Sequence, residues 1–173
     1  MGTTIYFSQV AYNDWKLYLG ATAKGLCFVS AQMEDVSQLE QHVRKYVRSF
    51  TLEKNEHLLK NYKEQLIDYF EGKRTTFDCS LDLYGTAFQK RVWNTLTKIP
   101  YGKTVTYSDI AENIGKPQAH RAVGNAVGEN PVLIVIPCHR VIRKNGDLGG
   151  FRAGVRMKKT LLEHERKVNN SLQ

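Results

Sequence analysis

An alternation of apolar and polar residues runs through the first part of the chain and predicts β-strands there. From Thr4 to Ala31, β-branched and aromatic residues alternate with polar ones, and the pairs Asn13-Asp14 and Lys24-Gly25 interrupt the alternation. Short connections of this kind join neighbouring strands as hairpins. The segment therefore predicts three strands of an antiparallel sheet, with one apolar face that other elements must cover.

A helical period follows the predicted sheet. Apolar residues recur every three or four positions in segments 37–50 and 54–70, which predicts two helices that cover the sheet. Residues 75–83 alternate again, as a further strand would. We expect the chain to divide here into a sheet-and-helix domain over residues 1–83 and a second domain over residues 84–173.

The second half predicts helices, two of which are joined by a short turn. The predicted helices are Thr86–Thr97, Ser108–Ile114 and Pro117–Gly128, with Gly115-Lys116 between the last two. Ser108 suits an N-cap, and Pro117 suits the first turn of a helix. The pattern fits a DNA-binding helix-turn-helix and equally a plain helical hairpin. A last helix is predicted over Gly154–Arg166.

The chain carries an excess of positive charge. Lys and Arg outnumber Asp and Glu by 25 to 17, which gives a formal net charge of +8. This charge favours a polyanionic partner such as nucleic acid, although many basic proteins bind none. Several basic residues crowd the last third: Lys116, His120, Arg121, Arg140, Arg143, Lys144, Arg152, Arg156, Lys158 and Lys159.

The cysteines and the hydropathy of the chain bear on three questions: whether it forms disulfides, binds a metal or spans a membrane. The cysteines Cys27, Cys79 and Cys138 are too few and too far apart for a disulfide framework, and no Cys/His cluster has metal-ligand spacing. We therefore expect no metal site. No stretch approaches the roughly 18 consecutive apolar residues of a membrane span, so we expect a cytoplasmic protein that does not bind a membrane.

Cys138 has different surroundings from the other two cysteines. The apolar run Val132–Ile136 predicts a buried strand, and Pro137-Cys138-His139-Arg140 follows it directly. A cysteine beside a histidine and arginines can be held as a thiolate and serve as a nucleophile. For an isolated Cys-His pair, a core thiol beside a capping histidine is the alternative.

The run IPCHRV around this cysteine resembles the active-site signature of the O6-alkylguanine-DNA alkyltransferases, also called methylated-DNA–protein-cysteine methyltransferases. The resemblance continues through PYGKTVTYSDIA (100–111), RAVGNAV (121–127), NP (130–131) and LLEHE (161–165), in the family's order. The N-terminal half resembles the family only in its pattern of strands and helices. The implied fold is α/β (α+β): an N-terminal antiparallel sheet with flanking helices, ribonuclease H-like, and a C-terminal winged-helix-like domain with a helix-turn-helix.

The resemblance implies direct reversal of DNA damage. Cys138 would accept a methyl or other alkyl group from O6 of guanine, and O4 of thymine is a further candidate substrate. His139 would take the thiol proton through a water, and Glu165 would orient and charge-balance His139. Because a thioether is stable, each molecule would act once, and no cofactor would be needed.

Two further residues receive roles from their places in the family motifs. The Tyr107 hydroxyl would donate to guanine N3, and Asn130 would brace the turn that carries the cysteine. From residue type alone, Tyr107 fits an amphipathic core position, Asn130 fits turn chemistry before a proline, and Glu165 fits a solvated helix face.

DNA contacts follow from the same resemblance. The base must leave the stack, because O6 inside a duplex is out of reach of a protein sulfur. Arg121 matches the family's arginine finger, which would fill the space left by the flipped base. Ala122 and Gly124 would permit close approach to the minor groove, with helix packing as the alternative, and Ser108 and Tyr107 would complete the DNA-contacting set.

The remaining predicted contacts form the pocket for the flipped base. Val127, Val141, Phe151 and Arg152 are assigned to it. Main-chain oxygens of Cys138 and Val141 would accept from the guanine amino group, and the Arg152 main-chain N–H would lie near O6.

Several rival functions fit parts of the pattern. A non-enzymatic damage-recognition protein of similar fold would lack the cysteine, and a transcription regulator would need a dimerisation segment or a sensor domain. A thiol hydrolase would leave Arg121 and Tyr107 without purpose, and a metal-dependent nuclease would need a carboxylate cluster. We therefore predict a monomeric single-turnover alkyltransferase whose partner is double-stranded DNA containing O6-alkylguanine.

Overall fold

Three hairpin-connected strands open the chain, as the alternation predicts. In the computed structural model, which describes residues 2–172, these are β1 (Thr3–Tyr12), β2 (Trp15–Thr22) and β3 (Gly25–Val29). Each strand pairs antiparallel with the next. Asn13 makes the first turn with a φ of 51°, a conformation that asparagine tolerates better than most residues.

A fourth strand corrects the prediction of a purely antiparallel sheet. The predicted helix over residues 37–50 ends early, as α1 (Ser37–Arg44), and β4 (Phe50–Lys54) follows it. β4 pairs parallel with β1, so the sheet is mixed with the order β3-β2-β1-β4. The strand is only five residues long and lies at the sheet edge. Its alternation of Phe50 and Leu52 with polar residues is too short to distinguish it from the end of the predicted helix.

The next helix, α2 (Glu56–Phe70), begins at an N-cap that the sequence pattern did not mark. Asn55 caps α2, since its Oδ1 accepts from the Leu58 N–H at 2.9 Å. Leu59 and Leu66 on α2 are fully buried, as are Leu17 and Leu19 on β2. The helix therefore covers the apolar face of the sheet, as predicted.

Residues 75–83 do not form the strand that their alternation predicted. Only Leu81 makes an isolated bridge, with Leu26. The side chain of Gln65 binds the backbone at Asp78 instead, accepting from its N–H at 2.9 Å and donating to its carbonyl at 3.0 Å. A side-chain amide thus satisfies backbone groups that a neighbouring strand would otherwise bind.

The chain divides between Tyr84 and Gly85 into two compact units. The second unit consists of α3 (Ala87–Leu96), β5 (Val105–Thr106), α4 (Tyr107–Asn113), α5 (His120–Gly128), a 3₁₀ turn (Cys138–Arg140), β6 (Val141–Ile142) and α6 (Val155–Ser171). β5 and β6 pair parallel as a two-stranded sheet. Within residues 2–172, no helix combines the length and the apolar composition needed to cross a bilayer.

The helix-turn-helix exists, with different boundaries from those predicted. Thr106 caps α4 in place of Ser108, because its Oγ1 accepts from the Asp109 N–H at 3.1 Å. α5 begins at His120 rather than Pro117, since a separate turn closes through the Ala119 N–H and the Lys116 carbonyl at 2.9 Å. The connection is therefore longer than the predicted two-residue turn.

The apolar run Val132–Ile136 is a series of tight turns and not the predicted strand. The Val135 N–H donates to the Leu133 carbonyl at 2.8 Å, and the Ile136 N–H donates to the Val132 carbonyl at 3.0 Å. Ile134 has a φ of 73°, which no strand contains. The side chains are apolar because the turns lie in the core, and this produces the same letters as a buried strand.

The last helix extends beyond its predicted end at Arg166. α6 continues to Ser171, and Asn169 packs beside Gly102, where a Cβ would lie 2.9 Å from the Asn169 Nδ2. This packing gives the polar end of the helix a tertiary partner that its composition does not indicate.

Candidate active site

The turns before Cys138 are fixed by one buried side chain. Asn130 Nδ2 donates to the Ile136 carbonyl at 2.8 Å, and Asn130 Oδ1 accepts from the Val132 N–H at 2.9 Å. The Asn130 side chain also forms a hydrogen bond with Cys138. Asn130 thus joins both ends of the turn to the thiol that follows it.

Cys138 is the first residue of the 3₁₀ turn, and its side chain is 3% exposed. Burial raises the pKa of the Cys138 thiol, while the hydrogen bond from Asn130 and the charges of Arg152 and Lys158 oppose that rise. The thiol therefore stays protonated near neutral pH and needs a base before it can act as a nucleophile.

His139, the next residue, is part of a buried ionic network. The His139 Nε2 lies 2.6 Å from Glu165 Oε2. Arg140 binds the same carboxylate at two points, with its Nε 2.8 Å from Oε1 and its Nη2 3.0 Å from Oε2. The Gly102 N–H also donates to Oε1 at 3.3 Å. Both oxygens of this buried carboxylate are therefore held in place.

The network determines which nitrogen of His139 can accept a proton. Burial disfavours the Glu165 carboxylate, but its hydrogen bond with His139, the charge of His139 and the bound Arg140 guanidinium outweigh this and hold the Glu165 pKa well below its usual range. Because the ionised carboxylate accepts from Nε2, that nitrogen carries the proton. The buried Nδ1 has no hydrogen-bond partner among residues 2–172 and is the basic nitrogen.

Burial also lowers the pKa of His139, although the Glu165 carboxylate acts in the opposite direction. The imidazole is therefore neutral at physiological pH and can accept a proton. A buried neutral base next to a buried protonated thiol is an arrangement suited to nucleophilic catalysis by cysteine.

Acid is expected to destabilise the second unit, because the pKa values of His139 and Glu165 are lowered in the folded protein. The folded-state pKa is lower than the unfolded value for both His139, near 6.5, and Glu165, near 4.5. As the pH falls below these values the unfolded chain binds protons that the folded chain does not, so the free energy of unfolding decreases.

Urea denaturation monitored by Trp93 fluorescence in a Trp15→Phe background would measure this decrease from about pH 7 to about pH 4. We expect His139→Gln to remove the part of the loss that begins near pH 6.5. His57→Gln, a change at an exposed position of the first unit, should retain it. An unchanged pH profile in His139→Gln would contradict the assigned protonation state.

The second unit also contains a cavity of about 800 Å³. It is lined by Tyr107, His120, Arg121, Gly124, Asn125, Gly128, Glu129, Arg143, Gly150, Phe151 and Arg152. Burial raises the pKa of Tyr107 in this wall, and Cys138 adds a smaller effect in the same direction. The Tyr107 hydroxyl donates to the Gly150 carbonyl at 3.5 Å.

The sequence-predicted residues divide into four groups in the structure. Cys138, His139, Glu165 and Asn130 are buried, and Tyr107, Arg121, Gly124, Phe151 and Arg152 line the cavity. Ala122 is exposed on α5 and Ser108 is partly buried on α4, both outside the cavity lining. Val127 and Val141 are buried in the interior.

Lys158 is a central residue of the site that sequence reasoning missed. It is fully buried, and its Nζ donates to the Val141 carbonyl at 2.5 Å, to the Leu148 carbonyl, and to the Gly150 carbonyl at 3.5 Å. Burial lowers the Lys158 pKa to about 8. The ammonium also lies 5.9 Å from the ring centre of Tyr107.

A signal for Lys158 was present in the sequence. Lys158 lies between Met157 and Leu161 on the apolar face of α6, where a lysine is unusual unless its charge has buried partners. Arg140 was noted only as one basic residue among many, and its pairing with Glu165 could not be read from a separation of 25 positions. No group of three or more metal-ligating side chains occurs in the described part of the chain.

Comparison with known proteins gives one family for both units. The ribonuclease-like domain of 6-O-methylguanine DNA methyltransferase matches residues 5–83, and the DNA binding domain matches residues 87–167. The inducible methylated-DNA–protein-cysteine methyltransferase of Bacillus subtilis is 45% identical over 169 residues, which cover 98% of this chain and 94% of that relative.

Solved structures from Mycobacterium tuberculosis are similar along most of the chain. An O6-methylguanine methyltransferase is 36% identical with a TM-score of 0.79 and covers 94% of this chain and 93% of its own. An OGT in complex with DNA is 37% identical with the same TM-score and covers 94% of each chain. The resemblance that began with IPCHRV is confirmed, and the chain belongs to the 6-O-methylguanine DNA methyltransferase family.

Proposed function

We propose that this protein repairs DNA by moving a methyl or other alkyl group from O6 of guanine to its own Cys138. The observation that carries the proposal is the burial of Cys138, of the neutral His139 and of the ionised Glu165 in the unit whose cavity is lined by Tyr107 and Arg121. The names of the relatives agree with this reaction, since they are methylated-DNA–protein-cysteine methyltransferases.

The proposed reaction balances without a cofactor. The thiol proton of Cys138 passes through a water to His139 Nδ1, and the sulfur electron pair forms a bond to the alkyl carbon. The bond from that carbon to O6 breaks, and its electrons stay on guanine, which takes up a proton at N1 from solvent. The Tyr107 hydroxyl donates to N3 and stabilises the charge that develops on the base.

Glu165 stabilises the imidazolium that forms when His139 accepts the proton. The product is a thioether, from which none of the residues of the site can remove the alkyl group, so each molecule acts once. The same displacement extends in principle to O4 of thymine, whose reacting oxygen is also an exocyclic atom on a base that must be extruded.

The proposed DNA contacts come from helices α4 and α5. Arg121 is exposed near the start of α5 and lines the cavity, a position suited to entering the stack as the base leaves it. Ala122 and Gly124 on the same helix offer little side-chain bulk to the minor groove, and Ser108 on α4 is a candidate phosphate contact. Val127 and Val141 would support the base pocket from beneath, through packing and main-chain atoms.

Double-stranded DNA is the proposed partner. The OGT of Mycobacterium tuberculosis has been solved in complex with DNA, and this chain carries a net charge of +8, which favours a polyanion. We also propose that the protein acts as a monomer in the cytoplasm, where its three free cysteines suit a reducing environment.

The test is the intact mass of the protein after mixing with a duplex that contains one O6-methylguanine. We expect a gain of one methyl group, about 14 Da, mapped to Cys138 and limited to one per molecule, as covalent transfer without release requires. Cys138→Ser should bind the duplex and gain no mass. Selective binding without a mass gain in the unaltered protein would instead indicate a damage-recognition protein.

A further inference from the structure

Arg140 makes further contacts in the buried network besides its ion pair with Glu165. Its guanidinium is 5% exposed and meets Glu165 through two parallel contacts. A third nitrogen, Nη1, donates to the Ile99 carbonyl at 2.7 Å, and the group lies 5.4 Å from the ring centre of Tyr101. The guanidinium is therefore fixed in position before any substrate arrives.

The fixed position of the Arg140 guanidinium affects the protonation of His139, because few charges surround the imidazole. Those acting on the imidazole are the Glu165 carboxylate and the Lys158 ammonium from α6, and the Arg140 guanidinium from its own turn. The neighbouring Cys138 thiol is protonated and uncharged. Tyr101 adds a phenol whose pKa is raised to about 12 by burial and by Glu165, so it is neutral. The net charge around His139 thus depends on one anion, the Glu165 carboxylate, and on the cations of Arg140 and Lys158.

A buried carboxylate without a cation draws a proton or a positive charge toward itself. If Arg140 were neutral, the nearest group able to supply that charge would be His139, 2.6 Å away. A protonated His139 cannot accept the proton of Cys138. Arg140 lowers the pKa of His139 by its charge, as does Lys158, after the larger effect of burial.

We propose that Arg140 is a positioning residue that keeps His139 neutral, and therefore basic, by neutralising Glu165 through its two-point contact. The inference rests on the proposed function, because it assigns a purpose to the base of that reaction. Glu165 then has two partners with different tasks. His139 uses the carboxylate during proton transfer, and Arg140 prevents it from holding a proton on His139 beforehand.

Removal of each charge of the pair in turn, and then of both together, distinguishes this role from a structural one. Arg140→Met leaves Glu165 uncompensated and should raise the His139 pKa by about one unit or more. Glu165→Gln leaves Arg140 uncompensated and should lower that pKa. The double variant removes both charges and should restore a value near that of the unaltered protein. A purely structural arginine would reduce stability in all three variants without this alternation in sign.

The measurement is an NMR titration of the imidazole signals in DNA-free protein. The chain has five histidines, and a His139→Gln spectrum identifies the signal of interest. An unchanged or lowered His139 pKa in Arg140→Met would overturn the proposal. If Arg140→Met does not fold, the double variant is compared with Glu165→Gln, and removal of Arg140 must still raise the His139 pKa.

Alkyl transfer supplies a second readout. We compare pH values below the His139 pKa of both the unaltered protein and Arg140→Met. There, a rise of one unit in the His139 pKa leaves about tenfold less neutral imidazole, so transfer in Arg140→Met should be about tenfold slower. The difference in rate should shrink as the pH rises. A deficit of equal size at every pH would count against the proposal. Since the titration uses no DNA, it can fail while methyl transfer succeeds, and the proposed function can fail while the titration succeeds.

Discussion

Replacement of Lys158 by methionine is expected to slow methyl transfer by about two orders of magnitude, since a displacement near 1 Å at a reacting centre can cost that much. Methionine keeps the unbranched stem but lacks the ammonium that binds the carbonyls of Val141, Leu148 and Gly150. These carbonyls belong to the segment that carries Arg143 and Gly150 into the cavity wall. Without the ammonium, these three carbonyls lose the donor that they share, and this part of the cavity wall is no longer held in position.

The neighbouring lysine provides a matched control. Lys159→Met changes the net charge by the same amount on the same helix, but Lys159 is exposed. We expect Lys159→Met to transfer methyl at nearly the rate of the unaltered protein. Single-turnover rates at saturating duplex, measured at a temperature where circular dichroism shows each variant folded, separate transfer from binding and from stability. Equal rates for the two variants would show that Lys158 has no part in arranging the pocket.

The second large effect is expected at Arg121. Arg121→Ala should slow repair of a duplex by about one to two orders of magnitude, because an unfilled stack leaves an unstacking cost of a few kcal/mol uncompensated. With a single-stranded oligonucleotide the base is already accessible, so the same variant should react at close to the normal rate. The ratio of duplex to single-strand rates is therefore the quantity to measure.

A change of charge alone must be distinguished from the loss of the inserted side chain. Arg166→Ala removes an exposed arginine that lies outside the 800 Å³ cavity. It should weaken binding to both substrates through the general salt-dependent attraction to phosphates, and it should leave their rate ratio unchanged. If Arg121→Ala behaves in the same way, Arg121 is a phosphate contact and does not enter the stack.

The elements that could be predicted from sequence are those whose pattern is local. Strands β1 to β3 are defined by alternation and by turn pairs, and the helices by their apolar spacing, so both were found. β4 was missed because it is a five-residue edge strand, too short for its alternation to be recognised. Val132–Ile136 was misassigned because buried turns and buried strands require the same apolar residues, and only the backbone at Ile134 distinguishes them.

The candidate site shows the same division. Cys138 and His139 are adjacent in sequence, so their chemistry could be inferred from composition and a motif. Glu165 was reached only through the family motif, and its contacts with His139 and Arg140 became visible in the fold. The place of Lys158 on the apolar face of α6 indicates burial, but its partners could not be predicted, because they are main-chain carbonyls, which any residue can supply.

Ile134 is a position at which substitution is not expected to increase the stability of this protein. Its left-handed backbone costs a branched side chain about 1–2 kcal/mol, which glycine would avoid. Its side chain is 1% exposed, and loss of a buried isoleucine costs about 2–5 kcal/mol. No standard amino acid meets both demands, so the position is a compromise that selection for thermostability should leave untouched. Stabilising substitutions should instead accumulate at the exposed positions of strand β4 and along the solvent face of α2.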